Sequence, residues 1–283
     1  KTLHAKSYIL ATGGNSHPET GSTGDGFSWL TEIGHNVVDI APSLVPIALT
    51  DSWAKKLQGV SLQNIKLSLM SEPFDTAPTS AKAMAGEQGK QKHETRTGNM
   101  LFTHFGISGP LVLNMSRLIG EAMKESSVTL ELDLFPSLDR TNLDSKLLEH
   151  FAVVQNKKWK NALAGFVPAR LTPILVEMSK INPELFVNEI PRTARLAFVE
   201  ILKSLIITPT GLLGSEKAIV SSGGVALTEI DFKTMRSHLI ENLYLAGDVL
   251  DFDRPSGGFS LQICWTTGFV AGKGGAEHPS EPV

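Results

Sequence analysis

A strand that delivers a carboxylate into a glycine-rich turn is the feature that most constrains how this chain folds. The apolar run at residues 244–246 ends in Gly247 and Asp248, and Gly257 and Gly258 follow before a helical pattern. In an open α/β sheet, the carboxyl ends of the strands carry the groups that contact ligands. Asp248 can accept hydrogen bonds from a chain of hydroxyls, and the N–H groups of the next helix suit a carbonyl or an anion. Turn geometry and helix capping explain the same residues equally well.

A second segment of the same kind lies near the beginning of the chain. Residues 7–12 form an apolar run that ends in Gly13 and Gly14, and the glycine-rich residues 20–26 precede a helical pattern. Asp25 suits the N-cap of this helix, but the glycines before it are more numerous than a cap requires. The two segments together favour a ligand site at the ends of two strands, which we expect to lie in one parallel sheet.

The middle of the chain has the patterns of a β-rich domain that contains helices. Residues 65–69 and 128–134 alternate between apolar and polar side chains, as half-buried antiparallel strands do. Residues 138–205 instead show helical spacing interrupted by prolines. The sequence therefore predicts an α/β domain built from both ends of the chain, with a β-rich insertion that itself carries a helical insertion.

Several of these runs resemble known flavoproteins. The A-T-G and G-D strands are similar to the carboxyl-terminal fingerprints of flavoproteins with two dinucleotide-binding domains, in which both strands contact FAD. A closer match is the BaiN-like family of bacterial NAD(P)/FAD-dependent oxidoreductases, also described as aminoacetone-oxidase-like. The runs that carry this match are residues 11–14, 20–26, 42–46, 100–110, 222–225 and 247–272.

The resemblance implies a fold, a cofactor and a set of site residues. The fold class is α/β, with an incomplete, split Rossmann-like FAD-binding domain (1–45 and 222–283). It is interrupted by a β-barrel-like insert (46–136 and 206–221) that carries a helical subdomain (137–205). FAD is the implied cofactor, and NAD(P)H is the implied reductant. The implied cofactor-binding residues are Thr12, Gly13, Gly14, Thr20, Gly21, Gly24, Asp25, Ser222, Gly223, Gly247, Asp248, Gly257, Gly258, Phe259 and Gln262.

These residues are expected to contact different parts of FAD. Asp248 would bind the ribityl hydroxyls and residues 257–262 the pyrimidine end of the ring. Gly13, Gly14 and residues 20–25 would support the region near the phosphates or ribose. Ser222 and Gly223 either present backbone donors to the isoalloxazine ring or form a tight turn between strands.

Other chemistries have less support in the sequence. The eight histidines show no His-x-x-x-His spacing and there is one cysteine, so we predict no metal site. His104 is a candidate catalytic proton donor beside the flavin, although a structural histidine is the more frequent role. Cys264 shares an apolar helical face with Trp265, Gly268 and Gly272, which predicts a buried thiol and close approach of this helix to a neighbour.

A glycine fingerprint for the ADP part of FAD is not present, and residue 1 is not Met. We therefore expect an amino-terminally truncated protein that self-associates through its incomplete sheet. With 41% hydrophobic and 19% charged residues and a net charge of −3, the composition favours a globular cytoplasmic chain. We expect a small-molecule substrate, no nucleic acid and no membrane. The alternative is a non-catalytic binding module or a cofactor-free fragment of a flavoprotein.

Overall fold

The computed structural model describes residues 4–73 and 91–277. The chain divides into two compact units, one formed by Lys1–Pro46 with Leu213–Val283 and the other by Ile47–Leu212. We refer to them as the terminal unit and the central unit. Each has its own hydrophobic core.

Both units contain β-strands and α-helices. The strands are β1 (Tyr8–Leu10), β2 (Val37–Ser43), β3 (Ile47–Leu49), β4 (Ser61–Pro73), β5 (Gln91–Phe102), β6 (Gly106–Ser108), β7 (Ser126–Asp133), β8 (Leu205–Ile207), β9 (Pro209–Leu212), β10 (Val220–Val225), β11 (Ile230–Asp231), β12 (Arg236–Ser237) and β13 (Leu243–Leu245). The α-helices are α1 (Asp25–Glu32), α2 (Ser52–Lys56), α3 (Pro110–Glu125), α4 (Arg140–Val153), α5 (Trp159–Ala162), α6 (Thr172–Ser179), α7 (Arg192–Lys203) and α8 (Phe259–Ala276).

The terminal unit contains a four-stranded sheet in the order β1-β13-β12-β11. Strands β1 and β13 are parallel, with Ile9 opposite Tyr244, which confirms that the two apolar runs found in the sequence lie side by side. Strands β10 and β2 form a separate antiparallel pair. The core of this unit includes Leu30, Leu245 and Ala271, all completely buried. The carboxyl ends of β1 and β13 therefore lie at the same edge of one sheet.

Helix α8 packs on the sheet through its last turns. A Cβ at Gly274 would lie 2.6 Å from the carbonyl oxygen of Thr234 and 3.0 Å from the Tyr244 ring, so only glycine allows this approach. The prediction that Gly268 and Gly272 permit close approach is wrong, because a Cβ at either position would meet open space. Trp265 is likewise 66% exposed, so the predicted packing face of the helix faces solvent along this stretch.

The central unit is built on a seven-stranded antiparallel sheet in the order β8-β7-β4-β5-β6-β3-β9. Alternation of side chains in β4 and β7 puts Leu67, Leu69, Leu130 and Leu132 into the core, as the period-two pattern predicts. The end strands β8 and β9 are separated along the chain only by Thr208. Among the described strands the ladder is not closed, so the predicted barrel-like insert is a sheet whose two edges are joined by one continuous segment.

Helices α4 to α7 lie between β7 and β8, as the spacing at residues 138–205 predicts. Trp159 is fully buried at their centre, 4.9 Å from the ring of Phe198 and 6.0 Å from that of Phe151. Its indole N–H donates to Ser179 Oγ over 2.9 Å, which satisfies the one polar atom of the ring. Pro191 caps the start of α7, so the proline breaks help to divide this segment into short helices.

A buried ion pair joins the beginning and the end of this helical segment. Lys203 Nζ lies 2.7 Å from Asp133 Oδ2 and also donates to the carbonyl oxygen of Phe135 over 3.0 Å. Lys66 Nζ approaches the same carboxylate oxygen at 3.0 Å. Asp133 Oδ2 is buried and has no hydrogen-bond partner, so charge attraction holds it to the two lysines. No helix in the described part of the chain is long and apolar enough to cross a bilayer.

Candidate functional site

A pocket of about 280 Å³ opens at the carboxyl ends of β1 and β13 in the terminal unit. Glycine and other small residues dominate its wall, and Asp248 carries the only carboxyl group among the described lining residues. The lining residues are Ala11, Gly13, Gly14, Ser16, Ser22, Ile219, Ser221, Ala246, Gly247, Asp248, Cys264 and Gly268. We call this the strand-end pocket.

Four of the residues proposed from the sequence line the strand-end pocket. Gly13 and Gly14 follow β1, and Gly247 and Asp248 follow β13. Parallel pairing of the two strands brings these residues together, although more than 230 residues separate them in the sequence. Gly268 adds space on the α8 side, since a Cβ there would meet no atom within 4 Å.

A network of small polar groups forms the wall opposite α8. Ser221 Oγ accepts from the backbone N–H of Asn15 over 2.8 Å and donates to Asn15 Oδ1 over 2.8 Å. Ser16 Oγ lies 3.2 Å from the same hydroxyl. Gly14 allows this packing, because a Cβ there would lie 2.5 Å from Ser221 Oγ. Sequence reasoning missed Asn15, Ser16 and Ser221, since their contact links positions 206 residues apart.

Asp248 is held by an arginine that the sequence pattern did not single out. Arg254 Nη2 donates to Asp248 Oδ1, its Nε donates to Ser260 Oγ over 3.1 Å, and its Nη1 donates to the carbonyl oxygen of Phe252 over 2.9 Å. Arg254 is only 5% exposed. The carboxylate that faces the pocket is therefore neutralised from behind by a buried guanidinium group.

Cys264 lines the pocket rather than filling a packed core. Its Sγ donates to Asp248 Oδ1 over 3.5 Å, and the residue is partly exposed. Burial raises the pKa of the Cys264 thiol above its usual value, and the negative charge of Asp248 raises this pKa further. The predicted buried packing role is therefore wrong. The thiol is protonated at neutral pH and is a poor nucleophile in this state.

The glycine-rich turn before α8 adopts backbone angles that favour glycine. Gly258 is the N-cap of α8 with φ 91°, and Gly257 has φ 114°. Phe259 begins the helix with an exposed ring, and Gln262 Nε2 donates to Thr266 Oγ1 over 3.2 Å on an exposed surface. None of these four lines the strand-end pocket, so the structure places them at the helix start beside the Asp248 turn.

The segment at residues 20–25 forms a turn and the start of α1. Thr20 Oγ1 donates to the carbonyl oxygen of His17, and Gly21 ends a short 3-10 helix. Gly24 is the N-cap of α1, which corrects the expectation that Asp25 holds this position. Asp25 lies in the first turn and accepts from Thr23 Oγ1 over 2.8 Å, where its charge still favours the helix. Thr20, Gly21, Gly24 and Asp25 lie outside the pocket lining, whereas Ser22 of the same segment lines the pocket.

Thr12 lies between two residues of the pocket wall. Its Oγ1 is buried without a hydrogen-bond partner, and a Cβ at Gly26 would lie 2.1 Å from it. Such an unpaired hydroxyl is costly unless a ligand or water completes it.

Ser222 and Gly223 lie within β10, and neither is in a turn between strands. Ser222 Oγ donates to the carbonyl oxygen of Ala41, and the pairing with β2 is irregular between Ser222 and Gly224. A Cβ at Gly223 would lie 2.2 Å from the carbonyl oxygen of Asp39. Close strand contact therefore explains the glycine, and neither residue lines the strand-end pocket.

His104 belongs to the central unit, in the connection between β5 and β6. Its ring packs edge-on against Phe105 at 4.8 Å between centroids, and the residue is exposed. Among the described residues of the central unit, no side chain that could exchange a proton with His104 bonds to its ring. Its catalytic role stays a prediction.

A Glu-His-Ser arrangement elsewhere in the terminal unit has no access for a substrate. His35 Nδ1 lies 2.7 Å from Glu229 Oε2, and its Nε2 lies 3.0 Å from Ser237 Oγ. The Ser237 hydroxyl also accepts from the N–H groups of Leu239 and Ile240, and Ser237 and His35 are both buried. The three residues therefore fix a loop and do not form a nucleophile site.

The donors and acceptors of the strand-end pocket fit part of a flavin cofactor. A fixed carboxylate acceptor and the serine hydroxyl groups of the lining suit a chain of hydroxyls. The volume lies just below the range of about 300–1,000 Å³ that is typical of sites for whole ligands. A volume of this size matches one portion of FAD. Across the described residues, no cluster of three or more His, Cys, Asp or Glu side chains has the arrangement of a metal site.

Comparison with known proteins gives one family and several relatives. A 3-dehydro-bile acid delta(4,6)-reductase of Clostridium scindens is 29% identical over 272 residues, which cover 96% of this chain and 62% of that protein. A ribosomal RNA dihydrouridine synthase of Haemophilus influenzae is 29% identical over 267 residues, covering 94% and 59%. The Escherichia coli protein of the same description is 27% identical over 272 residues, covering 95% and 60%. The chain therefore spans about three fifths of the length of these relatives.

The family match covers more than half of the chain. A family model described as the HI0933-like protein barrel and H2TH domain matches residues 41–220, a range that contains the whole seven-stranded sheet and helices α4 to α7. The chain therefore belongs to the HI0933-like family.

Proposed function

We propose that the protein carrying this chain is an FAD-dependent oxidoreductase of the BaiN-like type. It would bind FAD non-covalently and pass hydride between the flavin and an organic substrate, with NAD(P)H as the reductant. The observation that carries the proposal is the strand-end pocket, where Asp248 and the glycines after β1 and β13 meet. A relative named as a reductase supports the same reaction class. The terminal unit would be the flavin-binding part and the central unit an insertion.

In this proposal the chain contributes binding and orientation. Bound FAD supplies the hydride chemistry. Asp248 accepts hydrogen bonds from hydroxyls of the ribityl chain, and Ser22 offers a hydroxyl group along the same pocket. The glycines at the strand ends let the ligand approach the backbone closely. Thr12 Oγ1 would gain a partner if ligand binding reorders the loop after β1.

The relatives do not point to one substrate class. The relatives are named for a bile acid and for ribosomal RNA, two chemically unrelated substrates. The expectation of a small-molecule substrate without nucleic acid, and the use of NAD(P)H, stay predictions.

Substitution of Asp248 by Ala tests the proposed site. Purified protein is titrated with FAD and with riboflavin, which keeps the hydroxyl chain and the ring but lacks the nucleotide. A charged acceptor contributes about 1.5–3 kcal/mol per hydrogen bond, so Asp248→Ala should weaken binding of both ligands about 10- to 100-fold. The matched control is Asp251→Ala, which removes a carboxylate from the same loop but outside the pocket lining.

Two results would contradict the proposal. Equal flavin affinity in wild type and Asp248→Ala would remove Asp248 from the site. If the wild-type protein binds neither FAD nor riboflavin, the result would favour the alternative of a non-catalytic module. Bleaching of bound flavin by NADH or NADPH under anaerobic conditions would support the redox assignment.

A further inference from the structure

Arg254 is the central residue of the turn between β13 and α8. Its guanidinium group bonds Asp248 at the strand end, the Phe252 carbonyl within the turn, and Ser260 in the first turn of the helix. The group also lies 5.9 Å from the centroid of the Phe252 ring. A single buried side chain thus connects three successive parts of the segment.

This arrangement fixes which oxygen of Asp248 is available. The bonds from Arg254 and from Cys264 both go to Oδ1. Within the described residues no protein group donates to Oδ2, while the Asp248 side chain keeps 20% of its surface exposed and lines the pocket. Oδ2 is therefore the atom that can meet a ligand.

The buried guanidinium also determines what kind of ligand suits Asp248. An isolated carboxylate attracts cations, including amines and metal ions. With its charge compensated from behind, Asp248 retains a strong acceptor oxygen but little net negative charge. Such a group favours a neutral donor such as an alcohol over a cation.

We propose that Arg254 is a positioning residue for the hydroxyl chain of the flavin: it fixes Asp248 so that Oδ2 accepts a ligand hydroxyl in the strand-end pocket. The ligand part of this inference rests on the proposed function. Arg254 itself does not line the pocket, so it acts through Asp248 alone.

Cys264 provides a readout of this role that needs no flavin. It is the single cysteine of the chain, so thiol-directed reagents report on one site. Its Sγ lies 3.5 Å from the Asp248 oxygen that Arg254 holds. The carboxylate raises the pKa of the thiol, so Asp248→Asn should lower the midpoint of the pH profile of thiol modification.

The experiment is a set of double-mutant cycles that combine Asp248→Asn with Arg254→Met and with Arg254→Lys. Circular dichroism of the ligand-free proteins checks folding, and Arg254→Lys keeps the charge if Arg254→Met does not fold. Riboflavin affinity is measured in all variants. The pH profile of Cys264 modification by a maleimide is measured in the ligand-free wild type, Asp248→Asn, Arg254→Lys and the corresponding double variant.

Positioning predicts strong coupling in both measurements. Arg254→Met should weaken riboflavin binding about tenfold when Asp248 is present, and should cause no further loss in the Asp248→Asn background. In the Arg254→Lys background, Asp248→Asn should shift the thiol midpoint less than it does in wild type, because an ammonium group lacks the planar fork that bonds Asp248, Phe252 and Ser260 at once.

Independent effects would overturn the inference. Additive losses of affinity would mean that Arg254 acts on the ligand without Asp248. An unchanged shift of the thiol midpoint in the Arg254→Lys background would mean that Asp248 stays in place without the guanidinium group. If wild-type protein binds no riboflavin, the proposed function fails, while the thiol cycle still decides whether Arg254 positions Asp248.

Discussion

Substitution of Lys203 by Met tests how much the buried ion pair of the central unit stabilises the fold. Lys203 and Lys66 approach the same Asp133 oxygen, at 2.7 and 3.0 Å. Their environments differ, since the Lys203 side chain is 8% exposed and that of Lys66 is 33% exposed. The pair of lysines therefore offers a matched comparison in which burial is the main variable.

The expected magnitude follows from what each substitution leaves behind. Lys203→Met leaves the buried Asp133 carboxylate without its nearest cation and removes the donor that serves the Phe135 carbonyl. Breaking one partner of a buried pair costs about 3–5 kcal/mol. Lys66→Met removes a partly exposed partner, and the effect should lie at about 0.2–1 kcal/mol.

Urea denaturation followed by circular dichroism measures both free energies of unfolding. For a domain of this size, a loss of about 1 kcal/mol in the free energy of unfolding lowers the melting temperature by about 2–4 °C. The melting temperature of Lys203→Met should therefore fall by about 6–20 °C. If the two variants lose equal free energy of unfolding, or if Lys203→Met loses less than about 1 kcal/mol, burial does not make the Lys203–Asp133 pair more stabilising than the Lys66–Asp133 pair. Either result would refute the argument.

Two further predictions concern a glycine and a histidine. Gly224→Ala should destabilise the fold by about 1–3 kcal/mol, because φ is 133° and the new Cβ would lie 2.7 Å from the backbone of Leu250; Gly272→Ala, which meets open space in α8, should leave stability unchanged or slightly higher in the same denaturation assay. His104→Ala should slow steady-state turnover while the spectrum of bound flavin stays the same if His104 transfers a proton, and turnover at the wild-type rate would remove His104 from the catalytic site.

The sequence predicts the local framework of the candidate site well. Two short apolar runs that each end in small residues predict the strands β1 and β13. Periodicity also predicts the strands β4 and β7 and the helical segment between β7 and β8. These features depend on side-chain spacing within about ten residues, which a single sequence displays directly.

Contacts between distant segments are what the sequence does not display. Ser221 reads as part of an ordinary strand, and only the fold brings it to Asn15. Arg254 stands in a run with Asp251 and Asp253, a composition typical of a solvated turn, yet it is buried. Cys264 has apolar neighbours in the sequence, but Trp265 is exposed and a Cβ at Gly268 or Gly272 would meet no atom within 4 Å. Burial depends on what the rest of the chain places against a residue.

The helical segment of the central unit leaves and rejoins the sheet at adjacent positions. Leu132 at the end of β7 pairs with Leu205 at the start of β8, and the backbone N–H of Leu134 donates to the carbonyl oxygen of Leu202 over 3.0 Å. A short hairpin turn could therefore connect the same two strands without changing any register in the sheet. With this layout, the helical segment can be lengthened, exchanged or deleted as one unit. The residues that form the sheet and the strand-end pocket need not change.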